Sequence, residues 1–223
     1  MTRQLTFDWP RGVALGPEDF FVSPANEQAY AMVTAPASWP DRKLIVTGPA
    51  GSGKSHLCRV AQAQTNAVIW QARDLPDTMP DAGADVIVED MGALPAAAQV
   101  FMFHLHNHLR NTGGALLMTA DARPALWPLT LPDLASRMQA ATVAPIGDPD
   151  DVLISALIMK LMADRQIMPP MALVSYLVPR IERSFAAAAA IVDALDAESL
   201  ATGRAINVKL AASLLDKAGQ SGR

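Results

Sequence analysis

The sequence predicts an α/β protein: a mostly parallel sheet covered on both faces, followed by a small all-helical bundle. Three observations predict it. Short apolar runs alternate with helical stretches as far as residue 147, a glycine-rich loop separates the first run from its helix, and after Gly147-Asp148-Pro149-Asp150 the strand pattern stops.

Residues 1–15 mix polar side chains with Trp9-Pro10 and Gly12 without a period, and they read as an extended arm. From Gly16 a loop leads into a helix through Ala29-Tyr30-Ala31-Met32-Val33, which Pro36 and Pro40 end. Strands are predicted over 43–47, 66–71, 85–89, 115–120 and 142–146. Helices are predicted over 54–64 and 95–110, with Pro95 acceptable in a first turn. Residues 151–165, 170–178, 183–195 and 208–218 read as helices separated by Pro169-Pro170, Pro179 and Thr202-Gly203-Arg204. Asp148 and Asp150 suit the N-cap of the first of these. The expected organisation is an arm (1–15), an α/β base (16–147) and a helical lid (148–223).

A chain of 223 residues has room for one typical domain and a small second one. Its net charge of -4 excludes coating of nucleic acid through bulk charge. The single cysteine, Cys58, excludes an internal disulfide and reads as a small core residue. The N-terminus lacks the apolar core of a signal peptide, and the longest apolar run, 185–192, is far too short to span a membrane. The expected location is the cytoplasm, away from membranes.

The chemistry is concentrated in Gly48-Pro49-Ala50-Gly51-Ser52-Gly53-Lys54-Ser55, which satisfies G-x-x-x-x-G-K-[ST] at every fixed position. Glycines let consecutive backbone N–H groups converge on one anion, and the following helix N-terminus adds its dipole. Lys54 is placed to reach terminal phosphates, and the Ser55 hydroxyl to ligate Mg²⁺. Such a site needs an acid at the end of a neighbouring strand, and Val86-Ile87-Val88-Glu89-Asp90 supplies two. Which of Glu89 and Asp90 faces the metal is left open. His104 and His108 share a helix face but His106 does not, so the trio reads as structural rather than as a metal site. The apolar residues Leu153, Leu157, Met159 and Leu161-Met162 read as lid packing.

Further segments carry a resemblance. Phe20-Phe21-Val22 with Asn26, the loop and helix start from Gly48 to Leu57, Leu117-Met118-Thr119-Ala120-Asp121, Leu131-Pro132-Asp133-Leu134-Ala135-Ser136-Arg137 and Gly203-Arg204-Ala205-Ile206-Asn207 resemble the AAA+ module of the bacterial initiator DnaA. They are more closely similar to the shorter DnaA-related regulators of the Hda (HdaA) family. DnaA continues past the lid into a helix-turn-helix domain, whereas this sequence ends at Arg223, which is the reason for expecting the shorter family.

The resemblance implies an adenine nucleotide, ADP or ATP with Mg²⁺, held by Gly48, Pro49, Ala50, Gly51, Ser52, Gly53, Lys54, Ser55 and His56. It implies a second-sensor arginine, Arg183 in Glu182-Arg183-Ser184-Phe185, early in the third lid helix. Asp121 is implied near the γ-phosphate, Ser55, Glu89 and Asp90 at the metal, and Arg137 as an arginine finger acting in trans. Glu89 stands where aspartate is more common, which implies weak or absent ATP hydrolysis by the protein itself. Gln4-Leu5-Thr6-Phe7-Asp8-Trp9 occupies the place of a sliding-clamp motif, with Gln4 bonding the pocket rim and Leu5, Phe7 and Trp9 filling it. Phe7 and Trp9 replace the aliphatic residues more usual there.

The implied function is a regulator that, docked on the DNA-loaded clamp, stimulates hydrolysis of DnaA-bound ATP and so restrains replication initiation. Its implied partners are DnaA, the clamp, DNA through the clamp, and a second copy of itself. The rival reading is a self-contained AAA+ ATPase, such as a helicase loader or DNA-remodelling motor, with a basic DNA-binding surface and substantial turnover of its own.

Overall fold

A computed structural model describes residues 20–221, with side chains as far as Asp216. The arm reading, and with it Gln4, Leu5, Phe7 and Trp9, lies outside the described residues. Five strands form one sheet in the order β2-β3-β4-β1-β5, and every pairing is parallel. They are β1 (Lys43–Thr47), β2 (Val68–Gln71), β3 (Val86–Glu89), β4 (Leu116–Ala120) and β5 (Thr142–Pro145). Around them lie α1 (Glu27–Val33), α2 (Lys54–Thr65), α3 (Gln99–Thr112) and α4 (Pro132–Ala140).

Strand alternation makes the two cores. Leu44 and Val46 of β1, Ile87 of β3 and Leu117 of β4 face α1 and α2, packing with Ala29, Val33, Leu57 and Cys58. Ile45, Val86, Val88, Leu116 and Met118 point the other way, onto Met102, Leu105 and Leu109 of α3 and Leu134 and Met138 of α4. β1 and β4 are buried along their whole length, as central strands of a parallel sheet must be.

Buried polar side chains hold the connections. Asp85 Oδ1 accepts the Ala115 N–H at 2.7 Å, tying the approach to β3 to that of β4. The buried Gln99 donates to the Pro128 carbonyl at 3.1 Å and accepts the Thr130 and Leu131 N–H groups at 2.8 and 3.0 Å, which fixes the entry to α4.

The remaining elements are helices: α5 (Asp151–Ala163), α6 (Met171–Leu177), α7 (Phe185–Thr202) and α8 (Val208–Ser221). They share a core built on Ile154, Ile158, Leu173, Leu177, Val192 and Leu195. Asp150 caps α5 by accepting the Leu153 N–H at 2.7 Å. Among the described residues no helix is long and apolar enough to cross a membrane.

Several predicted boundaries move. The helix expected from Pro95 begins at Gln99, because Pro95 is extended and Ala96–Ala98 form a 3-10 turn. The helix expected over 183–195 begins at Phe185, since Ser184 is its N-cap and accepts the Ala187 N–H at 3.1 Å, and it runs on to Thr202 before Gly203 turns left-handed. Arg183 therefore precedes the helix instead of riding its first turn. Asn66, expected to open a strand, is the left-handed C-cap of α2.

Leu117 sits between Leu44 and Ile87 in the register and is 1% exposed. Replacing it with alanine leaves a hole flanked by strands on both sides, and Leu117→Ala should cost about 2–5 kcal/mol in chemical denaturation. Leu126→Ala, on a side chain 74% exposed, should stay within about 0.5 kcal/mol.

Candidate nucleotide site at the C-terminal edge of the sheet

All five strands point the same way, so the segments after β1, β3 and β4 meet at one edge. β4 lies between β3 and β1, and this break in strand order opens a crevice where ligands of open α/β sheets bind. A cleft of about 270 Å³ occupies it, lined by Lys54, Ser55, Gln71, Glu89, Asp90, Thr119 and Asp121. The edge thus collects Lys54, Ser55, Glu89, Asp90 and Asp121 in one place. A larger cleft of about 380 Å³, lined by Arg204, Asn207, Lys209 and Ser213, lies on the helical part, away from these residues.

The loop after β1 has little spare room. A Cβ on Gly48 would stand 2.8 Å from Ser52 Oγ and 2.9 Å from Ile146 Cβ, and Gly53 has φ +93°, which L side chains rarely adopt. Gly48 and Ser52 are buried, while Pro49, Ala50, Gly51 and Ser55 are exposed. The Ser52 hydroxyl has no hydrogen-bond partner. Lys54 Nζ donates to the carbonyls of Gly48 and Pro49 at 2.7 and 2.9 Å and pairs with Asp121 at 2.8 Å. His56 stands edge-on to Phe20, 5.4 Å between centroids, and Phe20 stacks on Tyr30 at 5.6 Å. Phe20 also closes on the loop: a Cβ on Gly53 would lie 3.1 Å from it.

On the acidic side, Asp90 is exposed and bends the chain sharply, with φ 60° and ψ 54°, while its N–H donates to Thr119 Oγ1 at 3.1 Å. Glu89 is partly buried. Its Oε2 accepts the Gln71 amide at 2.7 Å, and its Oε1 is buried without a partner. Burial and then the Glu89 charge push the neighbouring Cys58 thiol well above its usual pKa, so it stays protonated. An orphaned carboxylate oxygen beside a hydroxyl and a second carboxylate is a hard-oxygen set of the kind that suits Mg²⁺.

The helical part reaches this edge through the segment before α7. Phe185 comes within 3.5 Å of where a Gly51 Cβ would lie, and it joins Leu153 in the core beneath the loop. Arg183 forks onto Asp151, Nε to Oδ1 at 2.8 Å and Nη2 to Oδ2 at 3.0 Å. Sequence reasoning missed Asp151 in this role, and it missed Gln71 and the Thr119 contact. The visible signal for Gln71 was a polar residue ending a strand next to the acidic one.

Arg137 lies elsewhere. It is near the end of α4, just before β5 starts at the N-terminal edge of the sheet, the edge opposite the loop. Its guanidinium sits 4.9 Å over the Phe103 ring, and among the described residues no carboxylate pairs with it. The same edge holds His106, buried with Nδ1 unpartnered, whose pKa falls to about 4 through burial and then the Lys43 charge, with Arg137 and Arg110 adding to it. The folded pKa lies below the unfolded value of about 6.5, so the neutral ring's stabilising contribution is complete above pH 6.5 and is lost as pH falls toward 4. His106→Gln should flatten the dependence of Tm on pH across that window. A fall as steep as the wild type's would assign the acid limb to other groups.

With the geometry in view, the comparisons are direct. No family model matches the chain. In sequence it is 26% identical over 161 residues to the chromosomal replication initiator DnaA of Thermotoga petrophila, covering 60% of this chain and 37% of that protein. It is 24% identical over 225 residues to DnaA of Thermomicrobium roseum, covering 89% of this chain and 48% of that one. In structure it is similar to domain III of the Thermotoga maritima replication initiation protein DnaA, with TM-score 0.70, 20% identity, and coverage of 94% and 98% of the two chains. The fold is that of domain III of DnaA. The Thermotoga maritima RuvB branch migration motor is also similar, with TM-score 0.64, 14% identity and coverage of 91% and 72%. The chain spans under half the length of these DnaA relatives.

Proposed function

We propose that this DnaA-like module is an adenine-nucleotide-binding regulator of the Hda type, acting on a partner's ATP more than on its own. The observation that carries the reading is the opposed placement of two cations. Lys54 faces the protein's own phosphate loop, and Arg137, without a carboxylate partner among the described residues, stands at the other edge of the sheet. An arginine so placed is out of reach of its own nucleotide and is available to a phosphate on another molecule.

ADP or ATP sits on the loop from Gly48 to Ser55, with His56 and Phe20 toward the base and Lys54 as the main phosphate contact. DnaA relatives with this fold have been seen bound to AMPPCP, with TM-scores of 0.65 and 0.64, which supports a nucleotide here. Binding exchanges Asp121 for phosphate on Lys54, and Arg183 leaves Asp151 for the same phosphates as second sensor. Ser55, Glu89 and Asp90 hold Mg²⁺, which neutralises phosphate charge. The 16–147 base and the 148–223 lid share this nucleotide at their junction. The Gln4 to Trp9 arm binds the sliding clamp, bringing the module to DNA and to DnaA in the cytoplasm.

Lys54→Ala should weaken ADP binding by about 2–3 kcal/mol in calorimetry, because a charge-assisted contact is lost. Unchanged binding would move the site elsewhere. The test of function is hydrolysis of DnaA-bound ATP, measured with this protein and clamp-loaded DNA. Arg137→Ala should leave ADP affinity and clamp binding intact and lower stimulated hydrolysis by about 10³–10⁵, with lysine a poor substitute for the planar fork. Normal stimulation by the variant would defeat the finger. Rapid ATP turnover by the isolated protein would favour a self-contained motor.

A further inference from the structure

One contact in the cleft belongs neither to the phosphate loop nor to the acidic positions. Gln71 ends β2, Glu89 ends β3, and the parallel register sets the two residues side by side. The Gln71 amide donates Nε2–H to Glu89 Oε2 at 2.7 Å. The Cys58 thiol of α2 is a neighbour of the same carboxylate, whose charge helps push the thiol's pKa up. The second oxygen, Oε1, is buried and unpartnered, and Gln71 and Glu89 both line the cleft with Lys54 and Ser55.

The physical need for such a tether is specific to glutamate. Its side chain has one more rotatable bond than aspartate, and fixing that bond costs entropy whenever the carboxylate must meet a cation. A hydrogen bond to one oxygen removes the freedom beforehand and leaves the other oxygen without a partner among the described residues. A buried oxygen without a partner is itself unfavourable, and a cation relieves it.

We propose that Gln71 is a positioning residue for the divalent cation: it anchors Glu89 through Oε2 so that Oε1 is presented to the metal that accompanies the nucleotide. The inference rests on the nucleotide-binding reading above. It accounts for how a glutamate serves at this strand end, through a partner supplied by the neighbouring strand.

The test uses the full chain with ADP and Mn²⁺ as the probe metal, its binding followed by electron paramagnetic resonance. ADP affinity in EDTA is measured alongside by calorimetry. Gln71→Leu, which cannot donate, should weaken Mn²⁺ binding about tenfold or more, as loss of a partner to a metal ligand commonly does, and leave ADP affinity in EDTA unchanged. Glu89→Gln should also weaken Mn²⁺. Adding Gln71→Leu to it should produce no further loss, because Gln71 acts only through Glu89. Gln71→Met, unbranched and equally unable to donate, should reproduce the effect and serves as the readout if the leucine variant folds poorly. Unchanged Mn²⁺ affinity, additive losses in the double variant, or a parallel loss of ADP in EDTA would each overturn the role of Gln71. Failure of the nucleotide site itself reads differently: Lys54→Ala would then leave ADP binding in EDTA untouched.

Discussion

The parallel pairing of β1 with β4, from Lys43 opposite Leu116 to Thr47 opposite Ala120, is the constraint on which the site depends. Parallel strands cannot be joined by a tight turn, so each return to the sheet takes a long crossover, which is a helix over one face everywhere but between β2 and β3. Each strand end is consequently a place where the chain leaves the sheet with free backbone groups. With β3 on the far side of β4, three such exits gather within one crevice. The phosphate loop, the Glu89-Asp90 pair and Asp121 are brought together by strand direction and order, though they are far apart in sequence. A slip of one residue between β1 and β4 would turn Leu44 and Val46 out of one core and Ile45 out of the other, so the packing that stabilises the sheet also holds the register of the site.

Charge in the crevice is arranged as a set of replaceable partners. Lys54 and Arg183 both pair with carboxylates, and each pair has one wet side chain: Asp121, 65% exposed beside Lys54 at 12%, and Arg183, 69% exposed beside Asp151 at 37%. Ion pairs this wet are worth about 0–1 kcal/mol, little beside a phosphate held by several converging amides. The pairs keep the cations oriented without binding them tightly. Glu89 is the contrast: it is partly buried, tied by the Gln71 amide, and has one oxygen without a partner among the described residues. The site therefore combines exposed, replaceable ion pairs with one carboxylate held by a neighbouring strand.

Much of this was legible in the sequence for identifiable reasons. The phosphate loop was readable because its conformation demands glycine at fixed positions, and the strands because burial of the central ones leaves mostly apolar residues between punctuating turns. Helix starts were harder. The alanines after Pro95 favour helix, yet the chain spends them on a 3-10 turn. Ser184 was a readable cap that moves Arg183 outside the helix, and its capping bond decides the boundary. Pairings across the fold were beyond reach: Arg183 with Asp151 is 32 residues away in sequence, and Gln71 with Glu89 depends on a strand register that no local pattern encodes.

The placement of Arg137 has a consequence for how such molecules assemble. The loop and the arginine lie at opposite ends of β1, a strand of five residues spanning roughly 16 Å. No single molecule can bring the two together, so joining an arginine edge to a loop edge takes a second molecule, reciprocally across a two-fold axis or in one direction only. The one-directional, head-to-tail form is open-ended. A molecule engaged through its arginine still has its own loop edge unoccupied, so each association leaves one end open for the next.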